Sequence, residues 1–181
     1  EKYLKSKGFN IKFNYSNDEN NVTKRIYECT KKINQKFTLL ISGDCPIVDK
    51  KIINQFYKSI SKSNYSFVDF NKKNIVEGIS FFKTLSWKKV HDLSYKDYHF
   101  EHAGSIINEK SSHFKKLFLK TPKDIQLRNT RFSIDTISDY QFFLLLFQKI
   151  NIENLSYGLA IKYYKKFKHI NSHVVQRGLK S

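Results

Sequence analysis

Phe37-Thr38-Leu39-Leu40-Ile41-Ser42-Gly43-Asp44-Cys45-Pro46 reads as a buried strand that breaks into a tight polar turn. A nearly continuous apolar run of five residues marks a strand covered on both faces of a sheet. The break is abrupt: a small residue, a glycine, an acid, a thiol and a proline follow one another. Gly43 lets the backbone turn and a ligand approach closely. Asp49 is placed to cap a following helix whose inward face is Ile52, Ile53, Phe56 and Ile60.

The pattern on either side alternates in the same way. Upstream, Glu1 to Lys7 reads as a helix end stopped by Gly8, and Phe9-Asn10-Ile11-Lys12-Phe13 as a short alternating strand. Val22, Ile26, Cys29 and Ile33 recur at helical spacing behind an Asn20 or Asn21 cap. Downstream, Tyr65 to Asp69 is a strand and 71–80 a polar stretch holding Gly78. Phe81 to Val90 predicts a helix, and Tyr95 to Glu109 a second one with His91, His99 and His102 nearby. Phe114 to Leu119 and Thr130 to Asp135 predict two more strands. A helix opening at Asp135 turns Phe142, Phe143, Leu146 and Ile150 inward, and Ser156 to Phe167 is the last helix before a tail from His169. Strands alternating with helices predict an α/β domain over 1–181 with a mostly parallel sheet.

Composition narrows the function classes. The chain has 181 residues, 40% of them hydrophobic and 15% aromatic, enough apolar material for a core. No run approaches the 18 or so apolar residues of a membrane span. The first residues lack the apolar core of a secretory signal, and two cysteines build no disulfide framework. A cytoplasmic protein with reduced thiols is expected. Net charge is +17, yet only four residues are Arg against 29 Lys. Base-reading proteins lean on Arg, so nucleic acid is not the expected partner. Phosphates of a smaller ligand are equally well served by a few cations. The chain begins at Glu1 and holds no Met, which reads as an N-terminally incomplete sequence.

In parallel sheets ligands sit at the carboxyl ends of strands. That rule selects Asp44, after the most apolar strand, and Asp135, after the last one. Mg²⁺ takes one or two carboxylates together with substrate phosphates, so the two acids suit a shared metal that neutralises phosphoryl transfer. The plainer alternative is that each merely caps a turn. Asp139, four residues after Asp135, has the spacing of a helix cap.

Leu40 to Asp49, with Ile52-Ile53, resembles the "TGDCPLID" segment of the spore-coat-polysaccharide type of cytidylyltransferase, relatives of the CMP-sialate and CMP-KDO synthetases. Further segments follow in family order. Asn21 to Glu28 is similar to "DVLDRYYEA", Glu77-Gly78-Ile79 to "DGLDVE", and Glu101-His102 to "EHVTPYI". Arg131 to Asp139 is similar to "RLTVDTPEDFEL", and Ile170 to His173 to "INAHV". The resemblance implies a Rossmann-like nucleotide-diphospho-sugar transferase fold and the reaction of CTP with a sugar to give CMP-sugar and pyrophosphate, for surface polysaccharide. It implies that Asp44 and Asp135 are the catalytic acids holding Mg²⁺. Arg25, Gly43 and Arg131 would contact substrate, and Gly78 and His102 would lie near the sugar or a dimer interface. His102 is either an acid or base there or a polar residue satisfied within its helix. Cys45 reads as a small buried thiol. Residues 71–111 match a region that relatives use as a dimerisation arm, so a homodimer is expected.

The departures are specific. Relatives open with a strand and a loop, roughly "ARxGSxRLPGK", that wraps the triphosphate with backbone N–H groups and cations. Neither element is in this sequence, so weak CTP binding is expected unless that segment is supplied. Ser42 replaces Thr, and Ile137-Ser138 replaces Pro-Glu. The alternative expectation is a catalytically inactive remnant or subunit that keeps the fold and binds a partner.

Overall fold

The Phe37–Ile41 run is a strand in the computed structural model, which describes residues 6, 18, 20–71, 74–126 and 131–166. In chain order the elements are α1 (Val22–Thr30), β1 (Phe37–Ile41), α2 (Lys50–Ser61), β2 (Phe67–Phe70) and β3 (Ile79–Lys83). Then come α3 (Ser86–Leu93), α4 (Asp97–Glu101), α5 (Ile106–Glu109), β4 (Lys116–Leu119), α6 (Ile137–Lys149) and α7 (Tyr157–Lys166). Two compact units share them: Glu1–Lys36 with Lys83–Phe114, and Phe37–Phe82 with Lys115–Ser181.

The second unit holds a sheet in the order β1-β3-β2-β4. β2 and β4 are parallel, with Phe67 opposite Lys116 and Phe70 opposite Leu119. β2 and β3 are antiparallel, with Phe67 opposite Phe82. Ser42 N–H donates to the Gly78 carbonyl (2.8 Å) and Thr84 N–H to that of Lys36 (3.0 Å), so β3 also runs against β1. The sheet is therefore mixed, with β1, β2 and β4 pointing one way. This is an α/β fold.

Its core lies where α2, α6 and α7 bring their apolar faces together with the sheet. Ile52, Phe56 and Ile60 of α2, Phe142, Phe143 and Leu146 of α6, and Ala160, Ile161 and Tyr164 of α7 belong to one cluster with Val68, Phe70 and Phe81. The i, i+4, i+8 spacing in α2 is what aims three residues at one side. Val68 and Phe81 face this cluster, while their neighbours Phe67 and Phe82 are buried and touch each other across the strands at 5.9 Å.

That two-sided burial explains the main difference from expectation. Phe81 to Val90 does not form one helix. Phe81 and Phe82 are adjacent apolar residues on opposite faces of β3, which periodicity alone cannot tell from a helix segment. A turn at Thr84-Leu85 follows, and α3 starts at Ser86. The expected strand over Thr130 to Asp135 is also corrected. Residues 131–135 form no strand; among them the Ile134 amide makes one bond, to the Asp44 carbonyl, at 2.8 Å. β1 itself is half-buried rather than covered on both faces. The helix end at Glu1 to Lys7 (save Ser6), the strand Phe9 to Phe13 and the tail with Ile170 to His173 lie outside the described residues.

The first unit packs α1 on α3 and α4. Thr23 on α1 is fully buried and satisfied: its hydroxyl donates to the His99 carbonyl at 2.6 Å, and its carbonyl accepts from Trp87 Nε1 at 3.2 Å. Among the described residues, no helix is long and apolar enough to cross a membrane.

Candidate active site

β1 ends at Ile41, and the chain turns through Ser42-Gly43-Asp44. Asp44 is exposed. Its carbonyl accepts the Ile134 amide at 2.8 Å, which ties Ile134 to this turn. Asp135, the next residue after Ile134, is also exposed. The two acids are 91 positions apart in sequence and stand on adjoining backbone at the carboxyl end of β1.

Each acid has identifiable neighbours. The Cys45 thiol lies 3.6 Å from Asp44 Oδ1. Burial, reinforced by the Asp44 charge, pushes that thiol up to about 12. Cys45 is therefore a protonated, buried thiol at neutral pH and a poor nucleophile. Asp135 Oδ2 accepts from the Ser133 hydroxyl at 2.9 Å and lies 3.5 Å from Arg131 Nη2. Asp139 is spoken for: it is buried and its Oδ2 accepts from the Thr136 amide and hydroxyl, both at 2.7 Å. The Asp139 amide donates back to Thr136 Oγ1, completing a capping box at the start of α6.

Gly78 is needed for its shape. Its φ is +65°, and a Cβ there would meet Cys45 Cβ and Sγ at 2.5 Å. Nothing lies within 4 Å of a Cβ built on Gly43, so that position of the turn is open. Arg131 joins the cluster, while Arg25 on α1 and His102 after α4 belong to the other unit. His102 is exposed and its ring sits 4.5 Å from that of Tyr98.

Three residues enter the site through contacts not expected from the sequence. Glu77 binds Arg131 Nε through Oε1 at 3.1 Å and the Phe132 amide through Oε2 at 3.3 Å. Burial pushes the Glu77 carboxyl up, and the Arg131 guanidinium pulls it back. Tyr157, buried at the start of α7, accepts the Glu77 amide (3.1 Å) and donates its O–H to the Glu77 carbonyl (3.2 Å). Asp49 in turn accepts the Tyr157 amide at 3.2 Å. The available signal was an acid beside a glycine that must turn, at Glu77-Gly78.

Beside Asp135 an open groove of about 680 Å³ is lined by Ile134, Asp135, Thr136, Ile137, Ser138 and Tyr140. Among the described residues, no three or more His, Cys, Asp or Glu group into an all-protein metal cage. Two exposed carboxylates fit the donor set of Mg²⁺, which keeps several waters and shares its coordination with phosphate.

A model of the family described as cytidylyltransferase matches residues 6–178. An uncharacterised protein of Methanocaldococcus jannaschii is 28% identical over 177 residues, covering 95% of this chain and 71% of that protein. The solved structure of a cytidylyltransferase from Leptospira borgpetersenii serovar Hardjo-bovis (strain JB197) has a TM-score of 0.72 at 22% identity. That match covers 83% of this chain, which spans 65% of that one, and it carries the fold. Given a match over nearly its whole length, the chain belongs to the cytidylyltransferase family.

Proposed function

We propose that this chain carries the catalytic acids of a CTP:sugar cytidylyltransferase that yields CMP-sugar and pyrophosphate for surface polysaccharide. The observation that supports this reading most is the Ile134–Asp44 hydrogen bond, which holds Asp44 and Asp135 at one rim of the sheet. In the reaction a sugar hydroxyl oxygen forms a bond to the α-phosphorus. The bond to the β-phosphate bridging oxygen breaks, pyrophosphate leaves, and the hydroxyl proton passes to solvent. Mg²⁺ on Asp44 and Asp135 would neutralise the triphosphate. Arg131, 41% exposed, offers a cation beside it. Gly43 leaves room for a phosphate to approach the backbone. The acceptor class is an acidic or amino sugar. Residues 71–111, with Gly78 and His102, are assigned to the sugar or to a homodimer contact, and Arg25 to the nucleotide.

The test is pyrophosphate release from CTP and Mg²⁺ with a panel of acidic and amino sugars, in protein supplied with the triphosphate-wrapping strand and loop. Asp44→Ala and Asp135→Ala are expected to lower turnover by about 100-fold or more with unchanged circular dichroism. Full turnover in both variants would reject the metal assignment. With that segment present, absence of metal-dependent CTP binding would favour the inactive homologue instead.

A further inference from the structure

Arg131 divides one guanidinium between two acids, and unequally. Its Nε lies 3.1 Å from Glu77 Oε1, while its Nη2 lies 3.5 Å from Asp135 Oδ2. The first is a charge-assisted hydrogen bond; the second is a loose ion pair. Glu77 is also the better anchored acid. Its second oxygen takes the Phe132 amide, and its backbone is held at both N–H and C=O by the buried Tyr157 hydroxyl. Asp135 is exposed, and its side chain meets Ser133 and Arg131.

We propose that Glu77 is a positioning residue that holds Arg131 off Asp135 and so keeps the Asp135 oxygens open to a divalent cation. This deepens the function proposed above and rests on its assignment of Asp135 to the metal. A guanidinium free to choose would close its fork on the exposed carboxylate, because a bidentate pair exceeds a single contact. Such a pair neutralises Asp135 and must break before a metal enters. Glu77 prevents it by charge and by place: it occupies Nε, and Tyr157 stops Glu77 from moving with the arginine. Held at Nε by Glu77, Arg131 would keep its Nη groups for a substrate phosphate.

The test needs no turnover. Mn²⁺ alone is titrated into the full chain, and bound ion is read from water-proton relaxation enhancement. Wild type is expected to bind and Asp135→Asn to lose binding. Glu77→Gln is expected to weaken Mn²⁺ about tenfold, the scale of one charge-assisted hydrogen bond. Arg131→Gln is expected to bind at least as tightly as wild type, and Glu77→Gln/Arg131→Gln to match Arg131→Gln. That coupling separates positioning from a general loss of negative charge, which would act equally in both backgrounds. An unchanged Glu77→Gln affinity, equal Glu77 effects with and without Arg131, or weakened binding in Arg131→Gln would each overturn the proposal. Arg131→Gln keeps it testable if the Glu77 variant does not fold. Wild-type-like binding in Asp135→Asn, or none in wild type, would strike the metal assignment itself and this proposal with it.

Discussion

Asp49 and Tyr157, 108 positions apart, meet at a 3.2 Å hydrogen bond from the Tyr157 amide to Asp49 Oδ2. The other oxygen, Oδ1, accepts the Lys51 amide (2.9 Å) and the Ile52 amide (3.4 Å). One buried carboxylate thus serves the first turns of both α2 and α7. Negative charge is also favoured at each end by the helix dipoles. Asp49→Ala removes both caps and leaves the Tyr157 amide buried without its acceptor. A loss of about 2–4 kcal/mol is expected, from one cap and one unsatisfied donor. Urea unfolding followed by circular dichroism measures it. Because Tyr157 holds Glu77, this variant is also expected to loosen the Arg131 cluster.

The two glycines near the site have opposite tolerance. Gly78→Ala forces a Cβ to within 2.5 Å of Cys45 at a φ of +65°. It is expected to cost about 2–4 kcal/mol through strain and displaced packing. Gly43→Ala meets nothing within 4 Å and is expected to shift stability by no more than about 0.5 kcal/mol. If Gly43 leaves room for phosphate, its alanine variant lowers CTP affinity while the melting temperature stays put. Paired melting and CTP titration curves of the two variants check this.

The two cysteines are expected to differ sharply towards an alkylating reagent. Cys29 is exposed, whereas Cys45 is buried and its thiol is pushed up to about 12. Thiolate is the reactive form. In native protein at about pH 8, Cys29 is modified and Cys45 reacts only after denaturant is added. Peptide mass spectrometry reads both sites in one experiment. Rapid native labelling of Cys45 would contradict its burial beneath Gly78.

Acid is expected to loosen the unit that contains α1, α3, α4 and α5 through Glu109. The Tyr95 hydroxyl, then Lys96 and His99, hold that carboxyl down to about 2 from an ordinary 4.5. A folded value below the unfolded one contributes stability that is full above the ordinary value and is lost as pH falls towards the folded value. The window therefore runs from about 4.5 down to about 2. Trp87 is the sole tryptophan and is buried in this unit, so its fluorescence reports the transition. Glu109→Gln is expected to flatten the acid limb of the stability curve; an unchanged limb would assign it to other groups.

Much of the fold was legible because its causes are local. The apolar Phe37–Ile41 run forms β1, Asp49 caps α2, and the three-to-four-residue spacing in Phe142, Phe143 and Leu146 turns α6 inward. Asp139 is a cap, as its spacing allowed. β3 was hidden because two adjacent phenylalanines fit a helix face as well as a strand covered on both sides. Nothing local distinguishes them; the pairing of Phe67 with Phe82 does.

At the site the same division holds for a physical reason. Residue type and strand-end position selected Asp44, which does follow β1, whereas Asp135 was selected as the end of a strand that residues 131–135 do not form. Long-range bonds decided which backbone and which side chains stand beside those acids. Ile134 reaches back to Asp44, Glu77 takes Arg131 across 54 positions, and Tyr157 grips Glu77 across 80. Periodicity and capping are written in neighbours three or four apart. Which carboxylate a guanidinium chooses depends on distances that exist only once the chain has closed on itself.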